Sequence, residues 1–376
     1  MSESATGKRL LFNANVAWFF ISHRLAIAQA ARDAGYDVHV AASIETDQEA
    51  ALIRREGFTF HALELRRGGL NPLADLSYFL QVVRLIRRTK PHLIHNVTVK
   101  PVVYGSMAAR LLRVPRIVNA ISGLGYSFTG GGSRRLLSWL VRFAYRLAVR
   151  DDRVRVIFQN MDDARELLSA GIVSQEQVCL IRGSGVDLER FRLTPEPPGV
   201  VSVVLPARML RDKGVVEFAK AAQVLRSRGR DARFLLAGME DPANPASLTR
   251  QELMDLQRET QVEWLGHVAD MPALYGSSHV VCLPSYREGL PKALIEACAA
   301  GRPIVTTDVP GCREVVTEGV NGLLVRPRDV PTLVEALDRL LSDPALRARL
   351  GAAGRRKAEA EFDLRAVVRA TLDLYL

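Results

Sequence analysis

The chain has 376 residues, of which 48% are apolar and 24% charged. This composition excludes a disordered or fibrous protein, and the length suits two domains of ordinary size. The charge is uneven, because residues 1–195 hold 27 Lys and Arg against 17 Asp and Glu, whereas residues 196–376 hold 24 of each. The whole net charge of +10 therefore lies in the first half, which we expect to face an anionic partner such as a membrane surface.

Short apolar runs alternate with helical patterns along the whole chain, which indicates parallel sheets covered by helices. In the first half the predicted strands are residues 9–13, 37–42, 93–96, 116–120 and 154–159. After a proline-rich stretch at residues 194–199, further strands are predicted at 200–205, 232–238, 261–265, 280–284, 303–307 and 322–325. We therefore predict an α/β protein with two Rossmann-like domains, 1–195 and 196–376, which face each other across a cleft. The final helix is expected to pack back on the first domain.

The cysteines, Cys179, Cys282, Cys298 and Cys312, form no CxxC pair and accompany no histidine cluster with zinc spacing. We expect them to be reduced and to serve as small core residues, as in a cytoplasmic protein. No apolar run reaches the roughly 18 residues that a membrane-spanning helix needs. Any attachment to the inner face of the cytoplasmic membrane is therefore expected to be peripheral.

The segment 133–150 is basic and amphipathic, and it reads SRRLLSWLVRFAYRLAVR without a single acid. Its apolar residues recur at helical spacing, as in helices that lie in a membrane interface. We predict contact with anionic lipid through Arg134, Arg135, Trp139, Arg142, Arg146 and Arg150. The alternative is a helix that faces the core and leaves its arginines solvated. Nucleic acid is not expected as a partner, because no recognition motif accompanies the charge.

Two cationic residues follow the first predicted strand of the second half. Arg208 and Lys213 lie on either side of a turn at the carboxyl end of that strand, and a helical pattern begins at Val215. A guanidinium, an ammonium and a helix N-terminus can together hold a diphosphate. The alternative is that both residues are surface charges on a turn.

A second element follows the predicted strand 280–284 and reads EGLPKALIE, from Glu288 to Glu296. Gly289 allows the backbone to approach a ligand closely, and Pro291 suits the first position of a helix. The two glutamates can both reach a polyol that enters over this helix. The alternative is an ordinary loop glutamate followed by an interior helix glutamate.

In this order and spacing the two elements resemble the retaining glycosyltransferases of family 4, which have the GT-B fold. Two further segments, residues 183–187 and 264–267, carry the same resemblance, which covers nearly the whole chain. Residues 96–101 and 122–126 are most similar to bacterial members that add N-acetylgalactosamine or a related sugar to undecaprenyl-diphosphate-linked saccharides.

The resemblance implies a role for each matching residue. Arg208 and Lys213 would neutralise the diphosphate as it leaves, and Glu288 would hold the donor sugar at the reacting centre. Glu296 would bind the ribose hydroxyls. The backbone of Gly289, Leu290 and Pro291 would hold the donor sugar together with Glu288, and the segment 265–268, with Gly266 and His267, would meet the nucleobase. We expect neither a metal ion nor another cofactor, because no Asp-x-Asp pair, HExxH motif or acidic cluster follows a predicted strand.

The first half departs from the family pattern in two places. Many relatives carry a histidine near the donor sugar, in the loop after the fourth strand of the first domain, where this chain has Ser122, and the relatives' Gly-Gly loop after the first strand is absent. These departures leave the acceptor side open, with His23, Arg24, Lys100, Ser122 and Gly123 as its candidates. Among them, Arg24 and Lys100 are interpreted as contacts to an acceptor diphosphate. His23 and His95 are also candidates for a catalytic role, against the alternative of hydrogen-bonded structural histidines.

The sequence thus predicts a glycosyltransferase that moves a sugar, an N-acetylhexosamine by resemblance, from a UDP-sugar to a polyprenyl-diphosphate-linked saccharide. The family resemblance implies attack on the same face of the sugar as the leaving group, with retention of configuration. Two alternatives remain open: a nucleotide-sugar epimerase of the same fold, and a membrane-associated protein that binds sugar nucleotides without catalysis.

Overall fold

The computed structural model describes residues 7–66, 71–124 and 135–376, with the backbone alone for residues 135–138. The chain forms two compact units. One extends to Ser184 and also includes Ala366–Leu376, and the other runs from Gly185 to Arg365. Within the described residues, no helix is both long enough and apolar enough to cross a bilayer.

The first unit is a parallel sheet with helices between its strands. The elements up to the middle of the sheet are β1 (Arg9–Val16), α1 (Ala17–His23), α2 (Leu25–Asp33), β2 (Asp37–Ser43), α3 (Asp47–Arg55), β3 (Thr59–Ala62), α4 (Pro72–Thr89) and β4 (Leu93–Val97). A π-helical turn (Pro101–Gly105) then leads into α5 (Ser106–Leu111), β5 (Arg116–Ile121), α6 (Arg135–Val149), β6 (Val154–Phe158), α7 (Met161–Ser169) and β7 (Val178–Leu180). Among the described residues the strand order is β3-β2-β1-β4-β5-β6-β7.

A ladder of asparagines crosses the middle of this sheet. Asn13, Asn96 and Asn119 are in register on β1, β4 and β5, and all three are fully buried. Asn13 donates to Asn96 at 3.0 Å and Asn96 donates to Asn119 at 2.9 Å, while the hydroxyl of Tyr78 donates to Asn13 at 2.8 Å. A buried polar network of this kind fixes the register of the strands, because any shift would leave its members unpaired.

The second unit is also a parallel sheet. Its elements are β8 (Val201–Pro206), α8 (Val215–Ser227), β9 (Ala232–Ala237), α9 (Arg250–Thr260), β10 (Glu263–Gly266), α10 (Met271–Gly276), β11 (Val280–Leu283) and α11 (Lys292–Ala299). They continue with β12 (Ile304–Thr307), α12 (Cys312–Val315), β13 (Gly322–Val325), α13 (Val330–Ser342) and α14 (Pro344–Glu361). The last helix, α15 (Leu364–Asp373), belongs to the first unit from Ala366 onward. In the described chain the strand order is β10-β9-β8-β11-β12-β13.

The α/β fold class is confirmed, with every pair of neighbouring strands parallel. The sequence did not predict β3 and β7, which are short strands at the two edges of the first sheet. Edge strands of three or four residues carry too few apolar positions to stand out from a loop. The last residues of the chain join the first unit, where Val367 and Tyr375 are buried in the core.

The two units separate at Ser184, whereas the sequence placed the domain boundary at residue 195. The intervening segment packs on the second unit, because Val186 and Phe191 are buried in its core. Just beyond that segment, Glu196 accepts hydrogen bonds from Arg347 at 2.6 and 2.9 Å. The proline-rich stretch is therefore held by the second unit and is not a free linker.

Gly105 should be intolerant of any side chain, because it closes on the asparagine ladder. A Cβ atom there would lie 2.0 Å from Oδ1 of Asn96 and 2.7 Å from Nδ2 of Asn13. We expect Gly105→Ala to lower the free energy of unfolding by about 1–3 kcal/mol, the usual effect of overpacking a core. Urea denaturation should show this loss, with an unchanged dependence of the unfolding free energy on urea concentration. Gly354→Ala is the control, since its Cβ would make only ordinary contacts at 3.5 Å or more, and an equal loss there would contradict the explanation.

Candidate active site

Two loops of the second unit meet where the strand order of its sheet reverses. β8 and β11 are neighbours, and open α/β sheets bind ligands at the carboxyl ends of such strands. The backbone N–H of Tyr286 donates to the carbonyl of Asp212 at 2.9 Å, which joins the two loops. Gly214 has φ 74°, and a Cβ there would lie 2.3 Å from the Pro284 carbonyl oxygen, so a glycine is needed for this approach.

Lys213 and Glu288, one on each loop, form an ion pair at this position. The Lys213 ammonium lies 2.5 Å from Oε1 of Glu288, and the Ser285 hydroxyl donates to the same oxygen at 2.7 Å. Both side chains are largely buried, with exposed fractions of 20% and 11%. The structure therefore brings together two of the three residues that the sequence predicted as catalytic.

Arg208, the third, pairs with an acid that the sequence analysis did not identify. Its guanidinium donates to Oδ2 of Asp241 at 2.6 Å, and its side chain remains 42% exposed. Backbone bonds from Met209 to Met239 at 2.9 Å and from Leu248 to Met209 at 2.8 Å hold the loop after β9 against the loop after β8. The guanidinium is thus positioned by one carboxylate while part of it can still contact a ligand.

The backbone around Gly289 and Leu290 is supported by the loop that follows β12. Gly311 has φ 80°, and a Cβ there would lie 2.5 Å from the Gly289 carbonyl oxygen. The N–H of Glu288 donates to the carbonyl of Pro310 at 3.3 Å, and the Leu290 side chain is buried. These contacts fix the peptide groups that the sequence predicted to hold a donor sugar.

Glu296 lies on the second turn of α11 and is only 7% exposed. It accepts a hydrogen bond from the Tyr275 hydroxyl at 3.2 Å, and the Lys292 ammonium is 3.6 Å away. Burial raises the pKa of this carboxyl, with Lys292 opposing the shift. Pro291 is the residue before the helix and not its first residue, so α11 begins one position later than the sequence suggested.

Gly266 and His267 lie at the carboxyl end of β10, at the edge of the second sheet. Gly266 has φ 66°, and its carbonyl accepts from the N–H of Gly238 at 2.8 Å. The Trp264 indole donates to the carbonyl of Gly238 at 2.8 Å, which fixes the end of β9, and His267 is exposed. Gly266 and His267 therefore lie at the carboxyl end of β10, as Lys213 and Glu288 follow the carboxyl ends of β8 and β11.

Lys100 does not offer a free charge to an acceptor diphosphate, contrary to its predicted role. Its ammonium donates to Asp75 at 2.7 Å and to the carbonyl of Arg66 at 2.9 Å. The Lys100 and Asp75 side chains are 14% and 7% exposed, so the pair is largely buried. The sequence could not reveal this pairing, because an acid on α4 has no fixed spacing from the end of β4.

Arg24 is also directed into the protein. It is 3% exposed, and its guanidinium donates to the carbonyl of His23 at 3.0 Å and to the Ser184 hydroxyl at 3.4 Å. Burial lowers its pKa to about 10. A role in binding an acceptor diphosphate is therefore not supported by its position.

The two histidine candidates have different surroundings. His95 is completely buried between Phe12 and Tyr375, and its Nδ1 lies 2.6 Å from the Tyr375 hydroxyl. Burial lowers the pKa of His95 far below its ordinary value. His23 stacks on Phe19 with ring centres 4.1 Å apart. The alternative of a structural histidine therefore fits His95, whereas the half-buried His23 stays a candidate.

Ser122 and Gly123 follow β5 at the carboxyl edge of the first sheet. The Ser122 hydroxyl is buried and has no hydrogen-bond partner in the described part of the chain. Gly123 has φ 113°, a conformation that favours glycine. These two candidates therefore lie where a ligand of the first unit would be expected.

Two of the arginines on helix α6 that were predicted to face lipid are hydrogen-bonded within the first unit. Arg142 donates to Glu166 at 2.8 Å, and Arg146 donates to the carbonyl of Gly171 at 3.2 Å, so both contact the region of α7. Tyr145 is buried. Arg134 lies outside the described residues, as does the side chain of Arg135, while Trp139 and Arg150 are exposed.

Within the residues that the structure describes, no group of three or more His, Cys, Asp or Glu side chains could hold a metal ion. Glu288 and Asp241, which follow β11 and β9, are paired with Lys213 and Arg208. Asp241 and Ser285 are the site residues that sequence reasoning missed. An acid directly after a predicted strand was the available signal for Asp241, whereas a serine in a loop carries none.

Two family models match the chain and together cover most of it. The model "Glycosyl transferase 4-like" matches residues 9–160, and the model "Glycosyl transferases group 1" matches residues 201–343. The chain is 26% identical to the N,N'-diacetylbacillosaminyl-diphospho-undecaprenol alpha-1,3-N-acetylgalactosaminyltransferase of Campylobacter jejuni, over 95% of this chain and 97% of that protein. It is 25% identical to the UDP-Gal:alpha-D-GlcNAc-diphosphoundecaprenol alpha-1,3-galactosyltransferase of Escherichia coli, over 73% of this chain and 72% of that protein.

Solved structures share the fold over nearly the whole length. Anabaena HepE in complex with UDP superposes with a TM-score of 0.76 at 20% identity, covering 97% of this chain and 98% of that one. Sucrose-phosphate synthase from Thermosynechococcus elongatus gives 0.77 at 20% identity, covering 98% of both chains. With its two parallel sheets and both family models matched, the chain belongs to the family 4 glycosyltransferases of the GT-B fold.

Proposed function

We propose that this glycosyltransferase transfers an N-acetylhexosamine from a UDP-sugar to a polyprenyl-diphosphate-linked saccharide, with retention of configuration. The proposal rests chiefly on one observation, the placement of Lys213, Glu288 and Arg208 at the switch point of the second sheet. Cations fixed at such a position are suited to a leaving diphosphate. The names of the Campylobacter and Escherichia relatives, which both act on diphosphoundecaprenol-linked sugars, support the acceptor class.

In this mechanism Arg208 and Lys213 stabilise the negative charge that develops on the diphosphate as the glycosidic bond breaks. Glu288, held by Lys213 and Ser285, orients the donor sugar, and Glu296 accepts hydrogen bonds from the ribose. The acceptor hydroxyl attacks the face of the sugar from which the diphosphate departs, and a phosphate oxygen takes its proton. Stabilisation of the leaving group is then the largest catalytic contribution.

The direct test is mass spectrometry after incubation with a panel of UDP-sugars and GlcNAc-diphosphoundecaprenol in detergent. We expect one additional sugar on the lipid-linked saccharide, and NMR of the product should show the anomeric configuration of the donor. Conversion of a UDP-sugar without any acceptor would instead indicate an epimerase. UDP binding without turnover of any donor would indicate a non-catalytic protein.

Activity is expected to persist in excess EDTA. The carboxylates near the diphosphate position, Glu288 and Asp241, are each paired with a cation, so they are not arranged as oxygen ligands for Mg²⁺ or Mn²⁺. The initial rate should be compared with and without EDTA at equal ionic strength. Loss of activity with recovery on adding a divalent ion would contradict this expectation.

We also propose that the first unit attaches to the anionic inner face of the cytoplasmic membrane through α6. Its solvent face carries Trp139, Leu140, Phe143 and Leu147, each between 41% and 59% exposed, and Arg150 continues this face. The Trp139 and Phe143 rings stack with centres 5.6 Å apart.

On α4, a second exposed face carries Leu73, Leu76 and Leu80 followed by Arg84 and Arg87. Apolar residues bordered by arginines are typical of helices that bind anionic interfaces.

The double variant Trp139→Ser/Phe143→Ser should therefore bind acidic liposomes about tenfold more weakly or worse, since two aromatic side chains lose their burial in lipid. Higher salt should weaken the wild type, because it screens the arginines. The matched control is Met254→Ser/Val320→Ser, which removes two equally exposed apolar side chains from the second unit. Unchanged liposome binding by the α6 variant would exclude this face as the attachment site.

A further inference from the structure

The Tyr286 side chain, in the loop after β11, joins three elements of the second unit. Its hydroxyl donates to Oε1 of Glu217 at 2.7 Å, in the first turn of α8. The guanidinium of Arg328, in the segment between β13 and α13, lies 4.4 Å from the centre of its ring. In the strand order of the described sheet, β11 lies between β8 and β13. The side chain therefore fastens its loop to the segment after β8 on one side and to the segment after β13 on the other.

The Glu217 carboxylate depends on this hydroxyl. Its second oxygen, Oε2, is buried and has no hydrogen-bond partner within the part of the chain that the structure describes. A carboxylate that loses hydration needs hydrogen bonds in exchange, and a hydrogen bond to a carboxylate is stronger than one between neutral groups. The contact therefore fixes the Tyr286 ring relative to α8.

Arg328 has a strained backbone. Its φ is 61°, in the left-handed region that residues other than glycine seldom adopt. The next residue, Asp329, caps α13 by accepting a hydrogen bond from the N–H of Thr332 at 3.0 Å, which fixes the place from which the arginine reaches the ring. A cation at this distance from an aromatic ring is attracted to it. Strained residues of this kind are concentrated at functional sites, where the surrounding fold maintains the strain.

Ser285 connects the tyrosine with the candidate active site. It directly precedes Tyr286, and its hydroxyl donates to Oε1 of Glu288 at 2.7 Å. The Thr307 hydroxyl donates to the Ser285 carbonyl, which supports the same peptide group from β12. A shift of the Tyr286 backbone would therefore move the serine that orients Glu288.

Lys213 and Glu288 have different partners in the proposed mechanism. They lie 2.5 Å apart in this structure, but during transfer Lys213 contacts the diphosphate and Glu288 contacts the sugar. Their ion pair therefore cannot hold the two loops together at that stage. Tyr286 joins the same two segments through its backbone N–H, which donates to the Asp212 carbonyl at 2.9 Å, and through its hydroxyl, which is bonded to Glu217. Neither bond involves a group assigned to the donor.

We propose that Tyr286 is a positioning residue, which keeps Glu288 at a fixed distance from Lys213 while both contact the donor. Glu217 and Arg328 hold the tyrosine in place from the two sides. This inference deepens the proposed function and rests on it.

The first test is Tyr286→Phe, which removes the hydroxyl and keeps the ring beside Arg328. With GlcNAc-diphosphoundecaprenol and the UDP-N-acetylhexosamine that the wild type uses, kcat should fall about fivefold to tenfold, the effect of removing one hydrogen bond. The affinity for UDP, measured by calorimetry, should stay within about twofold of the wild type, because UDP lacks the sugar that Glu288 holds. A general loss of structure at the site would weaken UDP binding as well.

The second test is a double-mutant cycle with Glu217. Glu217→Ala should lower kcat as much as Tyr286→Phe does, whereas Glu217→Gln keeps an acceptor oxygen and should restore kcat to within about twofold of the wild type. The double variant Tyr286→Phe/Glu217→Ala should lose no more than either single variant, because both remove the same contact. Independent effects would multiply to a loss of about 25- to 100-fold.

Arg328→Gly tests the other side of the ring without straining the backbone, since glycine adopts a positive φ readily. It should lower kcat about threefold, the effect of losing an exposed cation–π contact. Arg326→Ala is the matched control, because it removes another exposed arginine of the same segment and should leave kcat unchanged. Tyr36→Phe, which removes a hydroxyl that donates to the Tyr375 carbonyl at 3.2 Å in the first unit, should also leave kcat unchanged.

Wild-type kcat in Tyr286→Phe would overturn the inference, and so would a loss of UDP affinity as large as the loss in kcat. Multiplying effects in the double-mutant cycle would overturn it as well. A wild type that transfers no sugar from any donor would instead contradict the proposed function.

Discussion

Replacing Lys213 with alanine is expected to lower kcat about a hundredfold or more, the effect of removing one preorganised group that stabilises developing charge. Its ammonium is fixed 2.5 Å from Glu288 at the carboxyl end of the sheet, so no reorganisation is needed as the diphosphate departs. The affinity for UDP should also fall, because the charge that develops on the leaving group is fully present in the released diphosphate. Steady-state kinetics and calorimetry with UDP provide the comparison.

Arg208→Ala should have a similar effect on kcat, since the guanidinium remains partly exposed beside Asp241. Arg228→Ala is the matched control: Arg228 is an exposed cation of the same unit, paired with Glu335 at 2.8 Å and remote in sequence from both loops. All three variants should keep the circular dichroism spectrum of the wild type. Near-normal turnover in both Lys213→Ala and Arg208→Ala would refute the assignment of the diphosphate position.

Glu296→Gln is expected to weaken UDP binding about tenfold or more while raising the melting temperature at neutral pH. The loss of affinity follows because a carboxylate forms stronger hydrogen bonds to ribose hydroxyls than an amide does. The gain in stability follows because burial raises the pKa of this carboxyl, so its ionised form is unfavourable in the folded protein.

The pH dependence gives the same prediction a second readout. The pKa of Glu296 is higher in the folded than in the unfolded protein, so the folded protein binds this proton more tightly. The buried negative charge therefore destabilises the fold at neutral pH. This destabilisation disappears once the pH falls below the ordinary pKa of a glutamate, because the carboxyl is then protonated in both states. The stabilising effect of Glu296→Gln should therefore shrink toward acid pH. UDP binding by the wild type should weaken as the carboxyl protonates, whereas binding by Glu296→Gln should not follow that titration. A variant that binds UDP normally would exclude Glu296 as the ribose ligand.

The proposed donor site could be predicted from sequence because its residues directly follow strands that are easy to recognise. Arg208 and Lys213 come after a run of buried apolar residues, and Glu288 comes after another. All strands of a parallel sheet have their carboxyl ends at the same edge. Recognising the strands from short apolar runs is therefore enough to predict that residues far apart in sequence lie close together. The acceptor side lacked this advantage, because its family signals are missing in this chain.

The sequence by itself determined the α/β fold class and the positions of the central strands, since apolar runs and helical periodicity are local properties. Only the tertiary structure decided which charged side chains pair with each other. Lys213 meets Glu288 across 75 residues, Arg208 meets Asp241 across 33, and Lys100 meets Asp75 across 25. These ion pairs depend on distances between residues that the fold brings together, and residue spacing along the chain does not encode those distances.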